Sequence, residues 1–202
     1  LSGNNPGGET LVPIAFWFLR HGQTDLNAQN LAQGNRDVPL NATGMEQART
    51  AAALLPPLGI ASIVSSPLSR ALHTAEAAAA VLHLPVKVMD ALHEVDFGEG
   101  DGRPMGEPWF EDWVEGRATP EGGESFAALR ARAVAAVNQA LRENPSPVLI
   151  VAHGALFRAL RAAMGLPPNV RTQNAVPVLC TPPADGAGPW TLTSAIPGGT
   201  PL

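Results

Sequence analysis

Three short stretches combine histidine or arginine with glycine or serine: Arg20-His21-Gly22, Ser65-Ser66-Pro67-Leu68-Ser69-Arg70, and His153-Gly154. A histidine titrates near neutral pH and can act as nucleophile, base or hydrogen-bond donor. An arginine fork matches the oxygens of a bound oxyanion, and a glycine such as Gly154 lets a ligand approach the backbone closely. The chemistry available to such a set is anion binding around a reactive imidazole. Each stretch alone also has a plainer reading. A single histidine at a strand end is more often structural, and an isolated arginine is a solvated charge. Arg70 would sit in the first turn of a helix, where the dipole disfavours a cation and a bound anion would remove the conflict.

The elements that must carry these residues alternate between apolar runs and helical periodicity. Ile14 to Leu19 reads as a buried strand ending at Arg20, Ile60 to Ser65 as a second, Val86 to Met89 as a third and Val148 to Ala152 as the most strand-like run. Thr43-Gly-Met-Glu46 fits a capping box opening a helix that Pro56 and Pro57 stop. Ser66-Pro67 reads as an N-cap followed by proline, with Leu68, Leu72, Ala75, Ala79 and Leu82 on the buried face. Ser125 to Asn144 is an amphipathic helix with Phe126, Leu129, Ala133, Val137 and Leu141 inward, and a further helix runs from Gly154 to Met164. Val176 to Cys180 and Thr191 to Ile196 are expected as edge strands. The alternation predicts an α/β fold, a three-layer sandwich with a mostly parallel central sheet and helices on both faces. In such a fold ligands sit beyond the C-terminal strand ends, and all three stretches fall there. That convergence of His21 and His153, far apart in sequence, raises the functional reading above the plainer one.

Composition bounds the rest. The chain has 202 residues, a formal net charge of -5 and 45% hydrophobic residues, which fits one globular domain. We assign residues 1–12 to a flexible N-terminal segment and 13–202 to a single domain. The acidic balance argues against nucleic acid as a partner, and no apolar stretch approaches the ~20 residues of a membrane helix. Cys180 is the only cysteine, so no internal disulfide forms. Residues 1 to 13 carry no basic residue or long apolar run and do not read as a signal peptide, so a cytoplasmic location is expected. Lys87 is the only lysine against twelve arginines in a chain rich in Ala, Gly and Pro, so arginine abundance by itself implies no function.

Longer motifs sharpen the reading. Leu19-Arg-His-Gly-Gln-Thr-Asp-Leu-Asn27, Gln33-Gly-Asn-Arg-Asp-Val-Pro-Leu-Asn-Ala-Thr-Gly44, Ser65-Ser-Pro-Leu-Ser-Arg-Ala-Leu-His-Thr-Ala75, Leu92-His-Glu-Val-Asp-Phe-Gly98, Gly123-Glu-Ser125 and Val151-Ala-His-Gly154 follow one another in order. Together they resemble the histidine phosphatase (phosphoglycerate mutase-like) superfamily, of the two-histidine branch 1 type. The resemblance implies that His21 is the nucleophile that becomes phosphohistidine and that Arg20, Arg70 and His153 bind the phosphoryl oxygens. It implies Glu94 as general acid, Asn27 as a supporting phosphate contact, and Gly154 as part of the phosphate-binding set. Gln23 stands where the family often has Glu. The chemistry is consistent: two arginines and a protonated His153 offset the charge of a phosphate monoester, and a neutral His21 nitrogen attacks it. Without the resemblance, Glu94 could not be chosen from the acidic run that also holds Asp96, Glu99 and Asp101. Trp109, Phe110 and Trp113 read either as core or as a lid over the site.

The expected function is a metal-independent phosphatase acting on a small-molecule phosphate ester, with no cofactor. A cofactor-dependent mutase is the alternative: between Gly98 and Glu124 only Arg103 and Arg117 are present and they are not adjacent, whereas such mutases have paired arginines there. A non-catalytic phosphoryl-ligand binder is a third class, which would usually lack one of His21, Arg70, Glu94 or His153. A homodimer is left open as an assembly. The five histidines form no spaced metal motif.

Overall fold

The computed structural model describes residues 10–196. The N-terminal residues 1–9, most of the segment expected to be flexible, lie outside it, as do 197–202. Thr10 to Val12, assigned to the same loose segment, are docked. The Val12 N–H donates to Asn138 Oδ1 at 2.8 Å, Asn138 Nδ2 donates to the Thr10 carbonyl at 2.8 Å, and Leu11 is buried.

Six strands form one sheet: β1 (Phe16–Arg20), β2 (Ser62–Ser65), β3 (Val86–Val88), β4 (Val148–Ala152), β5 (Pro177–Thr181) and β6 (Thr191–Ser194), in the order β3-β2-β4-β1-β5-β6. β1 to β4 run parallel, and β5 and β6 run antiparallel. The sheet is mostly parallel, with helices on both faces, as predicted. The helices are α1 (Asp25–Ala28), α2 (Ala42–Ala53), α3 (Ser69–Leu82), α4 (Pro108–Val114), α5 (Phe126–Glu143) and α6 (Gly154–Ala163).

The pleat divides the core in two. On β1 and β4, Phe16, Phe18, Val148, Ile150 and Ala152 face a cluster containing α4, α5 and α6 residues, among them Trp113, Leu129, Val137 and Leu160. Trp17, Leu19, Leu149 and Val151 face the other cluster, with Ala51 and Leu55 near α2 and Ala71, Ala75 and Ala78 of α3. Both faces being covered, these strands read as continuous apolar runs.

Four expectations need correction. The N-cap of α2 is Asn41, whose Oδ1 accepts from the Gly44 N–H at 2.9 Å, not Thr43. Asn41 is favoured because its Nδ2 also reaches Gln23 Oε1 at 3.1 Å and Asp25 Oδ1 at 3.2 Å, tying the helix start to the loop after β1. α3 begins at Ser69, with Leu68 at the cap and no side-chain bond there, because the Ser66 hydroxyl is engaged elsewhere. Its buried face is Arg70, Ala71, Thr74, Ala75 and Ala78, so Leu72 and Leu82 are only half-buried. β5 is interior rather than an edge, since β1 and β6 flank it.

Candidate active site

The C-terminal ends of β1, β2 and β4 deliver Arg20, His21, Ser66 and His153 to one region, and α3 adds Arg70 from its first turn. A cavity of about 320 Å³ opens there, lined by Arg20, His21, Asn27, Glu94 and Gly154 of the sequence-derived set. Arg70 and His153 do not line it. Both are fully buried, with the His153 ring centroid 5.3 Å from that of His21.

The backbone around His21 is fixed from several directions. Its N–H donates to the Ala152 carbonyl at 3.0 Å, its own carbonyl accepts from Asn174 Nδ2 at 2.8 Å, and the following Gly22 N–H reaches Thr74 Oγ1 at 3.1 Å. Gly22 has to be glycine: a Cβ there would collide with the carbonyl of Gly44. The ring Nδ1 lies 2.6 Å from the Gly22 carbonyl. A carbonyl only accepts, so Nδ1 carries the proton and Nε2 holds the free lone pair. Burial, and then the positive charges of Arg70 and Arg20, push His21 well below the usual imidazole range. The ring is therefore neutral at physiological pH, the state a nucleophile needs.

His153 is neutral for the same reasons: burial first, then Arg70, His21 and Arg20. Its Nε2 lies 2.6 Å from Ser66 Oγ, while Ser66 Oγ accepts the Leu68 N–H at 3.3 Å. His153 Nδ1, on the other side of the ring, is buried and has no partner.

Two guanidinium nitrogens share that condition. Arg20 donates from NH1 to the Thr172 carbonyl at 2.6 Å, and Arg70 donates from NH1 and NH2 to the carbonyls of Arg36 and Gly34 at 2.6 and 2.9 Å. The Nε of each is buried without a partner. Desolvation holds both guanidinium groups down at about 10, with Glu94 opposing, so both remain charged. An orphaned buried donor costs about 1–3 kcal/mol. Two of them, with the unpartnered His153 Nδ1, beside a neutral imidazole form a site that an oxyanion would satisfy. Gly154 serves Arg20: a Cβ would stand 3.2 Å from its Nε. The close approach there is made by a side chain of the protein itself.

Glu94 is 6% exposed and faces the cavity. Oε1 accepts from the N–H groups of Val95 at 3.0 Å and Leu156 at 2.9 Å, and Oε2 from that of Ala155 at 2.9 Å. The carboxyl is thus held by the first turn of α6. Asp96 and Glu99 are exposed and off the cavity; Asp96 accepts the Gly98 N–H at 2.8 Å. Asp101 lies 3.6 Å from Arg36. Asn27 Oδ1 accepts from Thr24 N and Asn174 Nδ2, at 3.4 and 3.2 Å, which leaves its Nδ2 as a donor. Thr24 does bond locally, as N-cap of α1 and to Gln33.

Sequence reasoning passed over Gln33, Ser66, Arg158, Asn169 and Arg171. Gln33 Nε2 donates to His21 Nε2 at 3.4 Å, and Thr24 Oγ1 donates to its Oε1 at 2.7 Å, which orients the amide. Gln33 and Ser66 stand inside the quoted motifs, so a role could have been sought there. The other three carry no local signal. The Trp109–Trp113 segment takes both expected parts: Trp113 is core, with Nε1 donating to the Glu124 carbonyl, while Met105 to Pro108, Phe110 and Glu111 line the cavity. Among the described residues no group of three or more His, Cys, Asp or Glu is placed to hold a metal, and no helix is long and apolar enough to cross a membrane.

A family model described as histidine phosphatase superfamily (branch 1) matches residues 16–180. The chain belongs to this superfamily. As a histidine phosphatase it is an enzyme of the phosphoric monoester hydrolase class. It is 40% identical to the uncharacterized phosphatase PhoE of Bacillus subtilis over 146 residues, 72% of this chain and 75% of that one. It is 37% identical to the probable phosphoglycerate mutase GpmB of Proteus mirabilis, over 76% of each chain. Among solved structures, a mycobacterial glucosyl-3-phosphoglycerate phosphatase complexed with VO3 superposes with a TM-score of 0.77 at 32% identity, covering 89% of this chain and 97% of that one.

The two neutral histidines of this histidine phosphatase give its stability a pH dependence. In the unfolded chain both titrate near 6.5, and in the fold both are depressed. Below about 6.5 the unfolded state binds protons that the folded state refuses, so this contribution is present above that pH and is lost as pH falls through the window beneath it. Urea midpoints at pH 7.5, 6.5 and 5.5 should decline in that order. A flat or rising series would contradict the neutral assignment.

Proposed function

We propose that this chain is a metal-independent phosphatase that hydrolyses a small-molecule phosphate monoester through a phosphohistidine on His21. The observation that carries the reading is the set of three buried, unpartnered nitrogens, Arg20 Nε, Arg70 Nε and His153 Nδ1, around an imidazole whose Nε2 keeps its lone pair. In the first step Nε2 attacks phosphorus, the P–O bond to the alcohol breaks, and Glu94 gives its proton to the leaving oxygen. In the second, Glu94 takes a proton from water, the new hydroxide attacks phosphorus, and the P–N bond breaks to release inorganic phosphate. The arginines stay in place and stabilise the planar phosphoryl group. Asn27 Nδ2 and the backbone at Gly154 complete the phosphate-binding set.

A mutase differs only in the second acceptor, an alcohol in place of water, and the likeness to GpmB favours testing it. Purified protein should release phosphate from an aryl phosphate and from members of a panel of metabolite esters, in EDTA as well as without it. Complete loss in EDTA, restored by a divalent ion, would overturn the metal-independent reading. Phosphate exchange between phosphoglycerate isomers that outpaces release, dependent on the bisphosphate, would assign the mutase reaction.

A further inference from the structure

The cavity lining holds cations besides Arg20. Arg158 on α6, Asn169 and Arg171 line it, together with the apolar Leu31, Met105 and Phe110. Arg158 is 8% exposed. Its NH1 donates to Asn169 Oδ1 at 2.8 Å and to the Pro168 carbonyl at 3.4 Å, and its guanidinium carbon lies 5.1 Å from the Phe110 ring centroid. Among the described residues neither Arg158 nor Arg171 has a carboxylate within ion-pair distance.

A nearly buried arginine without an ion-pair partner is expensive to keep, because its desolvation is only partly offset. Burial holds Arg158 down at about 10; Glu94 opposes this, while Arg161 and Arg171 add to it. Arg158 and Arg171 also act on Arg20 as like charges. A phosphoryl group held by Arg20 and Arg70 leaves these two uncompensated. Glu107 and Glu111 also line the cavity, but neither lies within ion-pair distance of Arg158 or Arg171: Glu107 is held by Arg103 at 3.2 Å and Glu111 is exposed.

We infer that Arg158, Arg171 and Asn169 form a subsite for a second anionic group, a carboxylate or a second phosphate, on the alcohol part of the substrate. The inference rests on the phosphatase reading above and names the substrate class for it. Asn169 spends its Oδ1 on Arg158, so its Nδ2 is available to the same anion. A cavity of about 320 Å³ suits a small ester with both charges rather than a long polymer.

Two matched pairs of esters test the subsite. 3-Phosphoglycerate and glycerol 3-phosphate differ only by a carboxylate in place of a hydroxymethyl group. Propanediol bisphosphate against propanediol monophosphate asks the same of a phosphate. In at least one pair the wild-type enzyme should favour the doubly charged ester by about 10- to 100-fold in kcat/KM, the range of a charged hydrogen bond. The pair that shows it tells carboxylate from phosphate. Arg171→Gln and Arg158→Gln should each shrink that ratio about tenfold; Arg171 is exposed, so its variant keeps the fold. Calorimetric affinities on the His21→Ala protein give the same ratio without turnover. No preference in either pair, or a ratio untouched by both substitutions, would overturn the subsite. Hydrolysis without charge preference would sink this inference and spare the phosphatase reading. Charge-dependent binding without hydrolysis of any ester would do the reverse.

Discussion

His21→Ala is expected to lower turnover of every phosphate ester by about ten thousand- to a million-fold, the scale seen when a covalent nucleophile is removed. The reason lies in the state of the imidazole. Nδ1 is committed to the Gly22 carbonyl, and burial with Arg70 and Arg20 keeps Nε2 unprotonated. Among the described residues no other nucleophilic side chain combines access with activation. Cys180 is buried in β5, its thiol pushed up by desolvation. Ser66 does form a serine–histidine pair with His153, but it is fully buried and off the cavity. The two nucleophiles leave different products. Phosphohistidine is acid-labile and phosphoserine is acid-stable. Enzyme quenched during turnover should carry only acid-labile phosphate, absent from the variant. Acid-stable phosphate, or substantial activity left in His21→Ala, would move the chemistry to Ser66.

Glu94→Gln should divide substrates by their leaving groups. An alkyl ester needs a proton on the departing oxygen and should lose about a hundred- to ten-thousand-fold. An aryl phosphate leaves without help, so its first step should survive while the second slows, giving a burst of aryl alcohol and accumulated phosphohistidine. The structure adds a stability effect. Both Glu94 oxygens accept backbone N–H groups, from Val95, Ala155 and Leu156, and a glutamine NH2 would set a donor against a donor in one of those positions. A loss of about 1–3 kcal/mol is expected and is measured by urea denaturation beside the kinetics. Unchanged alkyl turnover would place the acid elsewhere. The candidates would then be Glu107 and Glu111, which line the cavity, rather than Asp96 and Glu99, which do not.

The sheet and helices were legible because strands covered on both faces are unbroken apolar runs, and α5 shows a clear inner stripe. What failed was local chemistry overruled by distant partners. Thr43-x-x-Glu46 is a sound capping pattern, yet Asn41 caps α2 because its amide also holds Gln23 and Asp25. Ser66 looked like a cap, and its hydroxyl serves His153 across 87 positions of sequence. The motif residues at the phosphate end could be named because they are close to one another within short stretches. Arg158, Asn169 and Arg171 could not, because their place in the cavity lining depends on how the segment after α6 folds back. Only in the structure does Thr172 meet Arg20 and Asn174 meet His21.

That folding back has a consequence for how the enzyme comes to exist. β1 leads into His21 but pairs only with β4 and β5, and Arg20 finds its acceptor at Thr172, 152 positions later. A chain emerging from the ribosome therefore displays this buried strand long before either neighbour has been made. Contacts this distant in sequence close slowly. Until they close, the imidazole is an ordinary exposed one, without the burial and paired cations that hold its proton off. Newly made chains should gain reactivity in a single late event, when the β5 segment docks, and not piecemeal as the earlier motifs appear.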